Sequence, residues 1–460
     1  MASYQLSNTA SEINNFISGY IHKDSENTFS LSKFSFIGAG SGNNIINPNT
    51  SLHSFIGAGK LNTGNGLDSV ICGGWKNSIS GNYSNIVGGQ ENKIISGNHS
   101  FIGAGRFNTQ SGEYTVIVGG NANTGDSPYG FIGGGENNKL SNNIYSCIVG
   151  GRNNILTGNY ANIGGGFNNT IFSGNNSTIA GGQANTISGT RAFIGGGANN
   201  AIRNTGTFTY SSIVGGFNNL ISGTSSVIVG GDNNATSGVY NFVGGGNLNY
   251  IDGITGSGLN LEITISGYTG CFIGNGVNNR IFYSNYSSIT DGQNNLISGV
   301  TGTISSNRFI DRVSYSTIAG GSGNSINSSL SFIGGGDNNI IAGAVTAVGT
   351  NNTSYSFIGG GEDHIISGQY GSILGGRKAL IMSGHAGAAV LADGENRNHF
   401  SKGTQTCSLD FASGVYLRLP TFAGANNQAG NLGELKVSGK FLYVATGANA
   451  WGRVELLSFT

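Results

Sequence analysis

The sequence predicts an all-β protein, a parallel β-roll or solenoid of about 20 coils with 15–16-residue repeats. Three observations carry this reading. Gly supplies 83 of 460 residues while Pro supplies only 3, a composition rich in turns but without the Gly-X-Y period of collagen. Charged residues are 9% and hydrophobic residues 37%, so the chain has enough apolar groups to fold and too little net charge to be held open. Finally, one motif, Ser-x-Ile-x-Gly-Gly-x-x-Asn-x-Ile-x-x-Gly, returns along most of the chain.

The copies align on their last core glycine, at 40, 59, 74, 89, 105, 120, 135, 151, 166, 182, 197, 216, 231, 246, 276, 292, 321, 336, 361 and 376. Position −3 is Ile in 19 copies and Val243 in the other; position +3 is Asn in 18, with His364 and Ala379 as exceptions. Position +5 is Ile or Leu in 16 copies. Two copies show the pattern in full: Ile86, Gly88, Gly89, Asn92 and Ile94, and Ile213, Gly215, Gly216, Asn219 and Ile221.

Each position has a physical reading. Ser-x-Ile-x alternates with period two, as a half-buried strand does. Gly-Gly permits a tightly bent or left-handed backbone where a Cβ would clash. Asn tolerates the left-handed region, and one Asn per coil can build an amide ladder along the rod. Asn-x-Ile-x is a second short strand, and Ser/Thr-Gly closes the coil. Helix is excluded from the repeats because glycine recurs and no 3.6-residue apolar stripe persists. At ~4.8 Å per strand spacing, the stack is on the order of 95 Å long.

Such a coil has two large inward side chains, a thin core for one chain. Phe36, Phe55, Phe101, Phe131, Phe193, Phe332 and Phe357 at position −4 alternate outward. A row of aromatics on a rod predicts a face buried against another chain.

This pattern resembles the head repeats of trimeric autotransporter adhesins, over roughly residues 34–384. That resemblance implies a left-handed roll and an intertwined homotrimer. The family's long heptad stalk and C-terminal barrel segment have no counterpart here, and the period is slightly longer. In organisation the chain is more similar to tail fibres and receptor-binding proteins of phages and phage-like particles, meaning contractile injection systems and large viruses. The stretch Ser7–Ile17 is similar to N-terminal segments of such fibres. The end, with Gly433-Glu434-Leu435-Lys436-Val437, Leu442-Tyr443-Val444-Ala445 and Trp451-Gly452-Arg453-Val454, is similar to their C-terminal β-module. These resemblances imply a non-enzymatic fibre on a virion or extracellular injection particle. It would dock through its N-terminus to a tail or baseplate component and bind a host surface glycan or protein. The start of the chain has no basic and apolar regions of a secretory signal, which predicts assembly in the host cytoplasm without one.

Three regions follow. Residues 1–33 read as an attachment segment, with a short helical pattern over Ala10–Gly19 ended by glycine. Residues 34–384 read as the roll, interrupted near 203–210, 250–270, 300–315 and 341–355. Residues 385–460 read as a small β-rich tip, with alternation in Val415–Leu419. Loops carry recognition on regular scaffolds, so Tyr250, Tyr268, Arg308, Phe309, Arg312 and Tyr315, with Trp451 of the tip, are the receptor-binding candidates. Surface decoration is the competing reading of those loops.

Other chemistries are poorly supported. Lys+Arg and Asp+Glu are both 21, so no electrostatic footprint for nucleic acid appears. No apolar run has the length of a membrane span. Gly-rich turns without a βαβ context make no dinucleotide site. Asn, not Asp, fills nearly every turn, unlike calcium-binding rolls. Cys72, Cys147, Cys271 and Cys407 show no metal or disulfide spacing and read as small buried thiols. The six histidines show no ligand spacing, and no cofactor is expected. A depolymerase acting on surface polysaccharide would use a carboxylate pair, for which Glu362-Asp363 and Asp393-Gly394-Glu395 are the only candidates, both readable as substituted turns. A bacterial surface adhesin and a structural or ice-binding solenoid are further alternatives.

Overall fold

The computed structural model describes residues 16–17, 27–30, 34–46, 53–203, 210–252, 270–304, 307–311, 313–342, 345–346, 350–351, 355–410, 435–438, 441–447 and 450–455. It is a parallel β-solenoid whose coils follow the register of the glycines. Ser-x-Ile forms one strand per coil and Asn-x-Ile another, and each pairs with its counterpart one coil away. Asn85–Ile86 lie between Val70–Ile71 and Phe101–Ile102, and Lys93–Ile94 lie between Ser78–Ile79 and Thr109–Gln110. The first sheet has 23 strands. A third line of bridges runs through the residue after each core glycine, from Ser41 to Arg377.

The core is a double file of branched aliphatics. Ile86 and Ile213 from the first sheet, and Ile221 from the second, are 0% exposed within the single chain. Their alternation with half-buried neighbours is why two-residue strands suffice: one side chain faces in, and the pairing coils extend the sheet.

Asn at +3 does more than tolerate a bend. Asn92 is wholly buried. Its Nδ2 donates to Gly88 O of its own coil at 3.0 Å and to Gly105 O of the next at 2.9 Å. Its Oδ1 accepts from the backbone N–H of Asn108 at 3.1 Å, and its own N–H donates to Asn77 Oδ1 at 3.0 Å. Each of the 18 coils that carry this asparagine is thus tied to its neighbours by one amide, and a buried polar side chain is satisfied. At the opposite turn Ser84 acts similarly: its Oγ donates to Gly97 O at 2.9 Å and accepts from Ser100 N–H at 3.1 Å.

Stacking begins earlier than residue 34. Phe16–Ile17 pair in parallel with Phe36–Ile37, and Thr28–Ser30 with Asn44–Ile46. Asn27 takes the ladder position, accepting from Asn43 N–H at 2.9 Å. At Phe16 and Ile17 the helical pattern expected over Ala10–Gly19 gives way to strand, because that pair offers the first sheet the same Phe-Ile edge as the next coil. Asn27 follows Ile17 by ten residues where full coils use six, which hid the register. Stacking also continues past 384: Ala389–Ala392 pair with Ser372–Ile373 and with Cys407–Asp410. A separate antiparallel sheet, Leu435–Ser438, Phe441–Gly447 and Ala450–Glu455, follows.

The outer face of the first sheet is uncharged and largely apolar. Positions −4 and −2 hold no Asp, Glu, Lys or Arg in any of the 20 coils. Phe at −4 occurs nine times, and each time −2 is Gly. The reason is steric: a Cβ on Gly38, Gly57 or Gly274 would meet a backbone carbonyl oxygen of the next coil at 2.3–2.5 Å and the Cε1 of Phe36, Phe55 or Phe272 at 3.2 Å. The ring lies down along the strand over the missing side chain, and six of the eleven coils without Phe carry Val87, Val118, Val149, Val214, Val229 or Leu374 there, all exposed.

The expectation for the cysteines holds only in part. Cys271 fills the inward Ser position, is buried, and its thiol donates to Ser284 O at 3.2 Å. Burial pushes that thiol up to about 11. Cys72 and Cys407 are exposed and Cys147 half-buried, all four being free thiols. Cys72 and Cys147 occupy the outward −2 and −4 positions, where period-two alternation turns them from the core.

Candidate functional site

The two turns of each coil face the same backbone problem and answer it differently. The residue two after the core glycine has a positive φ, as at Asn92's neighbour Glu91 (54°) and at Asn218 (53°), and 11 of its 20 occupants are Asn or Gly. That is the inexpensive choice for a left-handed residue. The residue six before the core glycine has a positive φ in 19 coils, yet only Asn176 and Gly270 are of that kind. Eleven of the chain's 18 tyrosines stand there instead, with φ between 42° and 64°. A bulky residue in that region costs of order 1 kcal/mol or more. Turn geometry therefore does not explain the tyrosines; their rings do.

Those rings form an exposed column along one edge of the rod. Tyr83, His99, Tyr114, Tyr129, Tyr145 and Tyr160 stack in an unbroken run with centroids 4.6–5.3 Å apart and planes within 17° of parallel. The spacing is that of the strands beneath, so the backbone sets the stack. Its tyrosines are 44–55% exposed. Partial desolvation, then the neighbouring Tyr145, Tyr114 and Glu113, raise the Tyr129 phenol above its ordinary value. Phe34–His53, Tyr286–Tyr315 and Tyr355–Tyr370 are shorter stacks, and Arg191 lies over Tyr210.

The four interruptions named above, and a fifth over 47–52 that makes the step from Gly40 to Gly59 19 residues, all fall between position +6 of one coil and position −6 of the next. The chain re-enters at His53, Tyr210, Gly270, Tyr315 and Tyr355, each at the column position, four of the five with a ring. In the 20 aligned coils the opposite turn keeps one length: the ladder position is the third residue after every core glycine. Two interruptions contain antiparallel hairpins, Val300–Ile304 with Asn307–Asp311 and Val345–Thr346 with Thr350–Asn351. Insertions and rings thus share one edge.

The residues singled out from sequence are dispersed. Tyr315 belongs to the column and stacks on Tyr286 at 5.2 Å. Tyr250 is half-buried on the outer face of the second sheet, edge-on to Phe282 at 5.7 Å; burial, then Asp252, raise its phenol. Arg308 and Phe309 lie on the first hairpin, and Trp451 on the C-terminal antiparallel sheet. Tyr268 and Arg312 lie outside the described residues. Sequence reasoning missed the column, although Tyr at a constant two residues before the strand's outward position was there to find.

Two of the four candidate carboxylates, Glu362 and Asp393, are engaged by cationic or imidazole side chains. Glu362 accepts from Arg377 Nη2 at 2.8 Å, and Asp393 contacts Arg397 and the buried His399 at 3.2 Å each. No group of three His, Cys, Asp or Glu residues able to hold a metal occurs among the described residues. His364 is structural. It replaces the ladder asparagine, its N–H donating to Asn339 Oδ1 at 3.1 Å and its Nδ1 accepting from Ala379 N–H at 3.0 Å. An accepting Nδ1 requires the neutral ring, with its proton on Nε2 towards Gly360 and Gly376. Burial holds its pKa below the ordinary value despite those carbonyls and Asp363, with His399 adding to the depression. The unfolded chain binds the proton first, so this contribution to stability is complete above about pH 6.5 and is lost as pH falls below it. His364→Asn should therefore remove part of the acid sensitivity of thermal unfolding, read by melting at pH 7.5 and pH 5. An equal loss in both proteins would contradict the assignment.

No family model matches the chain, and no curated protein sequence matches it either.

Proposed function

We propose that this chain is a non-enzymatic attachment fibre, a stiff rod that presents one aromatic, insertion-bearing edge to a host cell surface. The observation that carries the reading is the left-handed tyrosine column, rings kept where the backbone favours Asn or Gly, on the edge where every insertion emerges. Resemblance to phage and phage-like fibres supplies the setting: a virion or injection particle, with N-terminal docking to a tail or baseplate component. Labelled full-length protein applied to a panel of bacterial cells should bind at least one. Combined Tyr114→Asn, Tyr129→Asn, Tyr210→Asn and Tyr240→Asn, which suit the turn, should weaken that binding about tenfold. Binding to no cell type, or undiminished binding by the variant, would overturn the reading.

The fibre is proposed to be a homotrimer joined through the outer face of the first sheet. An uncharged face with exposed Phe and Val in successive coils is a surface that water disfavours over the whole rod. Multi-angle light scattering is expected to give three chains, and Val214→Lys with Val229→Lys to give one while leaving the β-signature intact. A wild-type monomer would refute this arrangement.

A further inference from the structure

The aromatic column is not continuous, and its gaps differ from its stacks. Within the run from Tyr83 to Tyr160 each ring covers the next, so edges and hydroxyls are offered but ring faces are not. Faces open where a coil lacks a ring. Most gaps are partly closed: Leu330 fills one with its own side chain, and Tyr286 leans over Gly270, where a Cβ would meet its Cδ1 at 2.8 Å.

The gap at Ser225 is different. Tyr210 stands on the coil before it and Tyr240 on the coil after it, 54% and 65% exposed. Tyr240 is the most exposed large apolar or aromatic side chain among the described residues. Arg191 backs Tyr210 from the far side, its guanidinium 5.2 Å from the ring centroid and its Nη1 donating to the phenol oxygen at 2.7 Å. That contact holds one wall upright and leaves its other face towards Ser225. Ser225, with φ 51° and a half-buried side chain, forms the floor. The two walls are two strand spacings apart, about 9.6 Å.

That width selects an occupant. A flat ring in van der Waals contact with both walls would need about 7 Å. A puckered, saturated ring with C–H groups on both faces is thicker and fills the slot, its C–H bonds directed at the negative faces of the phenols. The floor supplies a hydroxyl, and the phenol rims supply further donors and acceptors for ring hydroxyls. The single charged group of the slot, Arg191, is turned to the outer side of Tyr210. We infer that the Tyr210–Ser225–Tyr240 slot sandwiches one sugar ring of a neutral glycan. This deepens the attachment reading, on which its biological sense rests, by naming the class of surface molecule.

The test is saturation-transfer NMR of the full chain with maltohexaose, cellohexaose and N-acetylchitohexaose as separate probes. At least one should bind. Ser225→Tyr should abolish the signal by continuing the stack through the slot, in a position where tyrosine is the commonest residue, so the fold is kept. Tyr240→Ala should weaken binding at least tenfold, and Ile155→Ala, exposed on the second sheet away from the column, should bind as wild type. Failure of all three probes, or wild-type binding by Ser225→Tyr, would overturn the slot. Cell attachment that survives Ser225→Tyr would sink the slot but leave the fibre reading. Oligosaccharide binding without attachment to any cell would do the reverse.

Discussion

Gly216→Ala is expected to disrupt the solenoid, whereas Gly215→Ala, one residue earlier, is expected to be nearly silent. Gly216 has φ 92°, a region that L side chains rarely adopt, and a Cβ there would sit 2.3 Å from Gly231 O and 2.5 Å from Asn219 Nδ2. Neither neighbour can withdraw. The carbonyl accepts from Phe217 N–H and from Asn219, and the amide is itself the tie between coils. Relief therefore requires two coils to part. Gly215 has an ordinary φ, and a Cβ there meets nothing within 4 Å. Alanine already stands at the equivalent position as Ala39, Ala58 and Ala104. Gly88 and Gly89 form the same pair. In a solenoid each coil contacts only its neighbours, so the damage should be local in origin. Hydrogen exchange in Gly216→Ala should accelerate first at amides of the 216 and 231 coils, with a melting temperature several degrees lower. Equal behaviour of the two alanine variants would show that the close approach of successive core glycines is not what sets the coil spacing.

The fold was legible because its constraints repeat. Ile at −3, two glycines and Asn at +3 each answer one local demand, and 20 copies make the demands visible without any homologue. What stayed hidden follows from the same logic. The coil ending in Asn27 keeps the pairing residues but lengthens the turn, so a search by constant spacing passes over it. The aromatic edge was overlooked because tyrosine was weighed only in the insertions, as Tyr250 and Tyr315, and not by its offset from the strand. Its significance depends on backbone sign: nothing in the letters says that Tyr114 and Asn218 share a left-handed φ. His364 departs from asparagine at the ladder, yet its imidazole Nδ1 takes the place of the amide oxygen as acceptor for the next coil.

Asn219→Ala tests whether that ladder holds the coils or merely fits between them. Asn219 is wholly buried and donates through Nδ2 to Gly215 O at 3.2 Å and Gly231 O at 3.0 Å, while its Oδ1 accepts from Asn234 N–H at 3.0 Å. Truncation leaves the Asn234 N–H, which points at nothing else, without an acceptor inside the stack. An orphaned buried donor costs about 1–3 kcal/mol, and the two lost donations add to it. A loss of about 3 kcal/mol is expected, measured by denaturant unfolding, with the Asn234 amide exchanging fastest relative to wild type. Asn219→Asp should be worse at neutral pH despite its near-identical shape. A carboxylate keeps the acceptor for Asn234 but points a second lone-pair oxygen at two carbonyls, in a buried position. Protonation restores one donor, so the folded-state pKa of that aspartate is raised above its unfolded value. Its variant should then gain stability as pH falls towards the unfolded pKa and lose it as pH rises, opposite in sign to His364. An Asp variant as stable as wild type at pH 7.5 would mean that the ladder's donors carry no weight, and that the acceptor side alone ties one coil to the next.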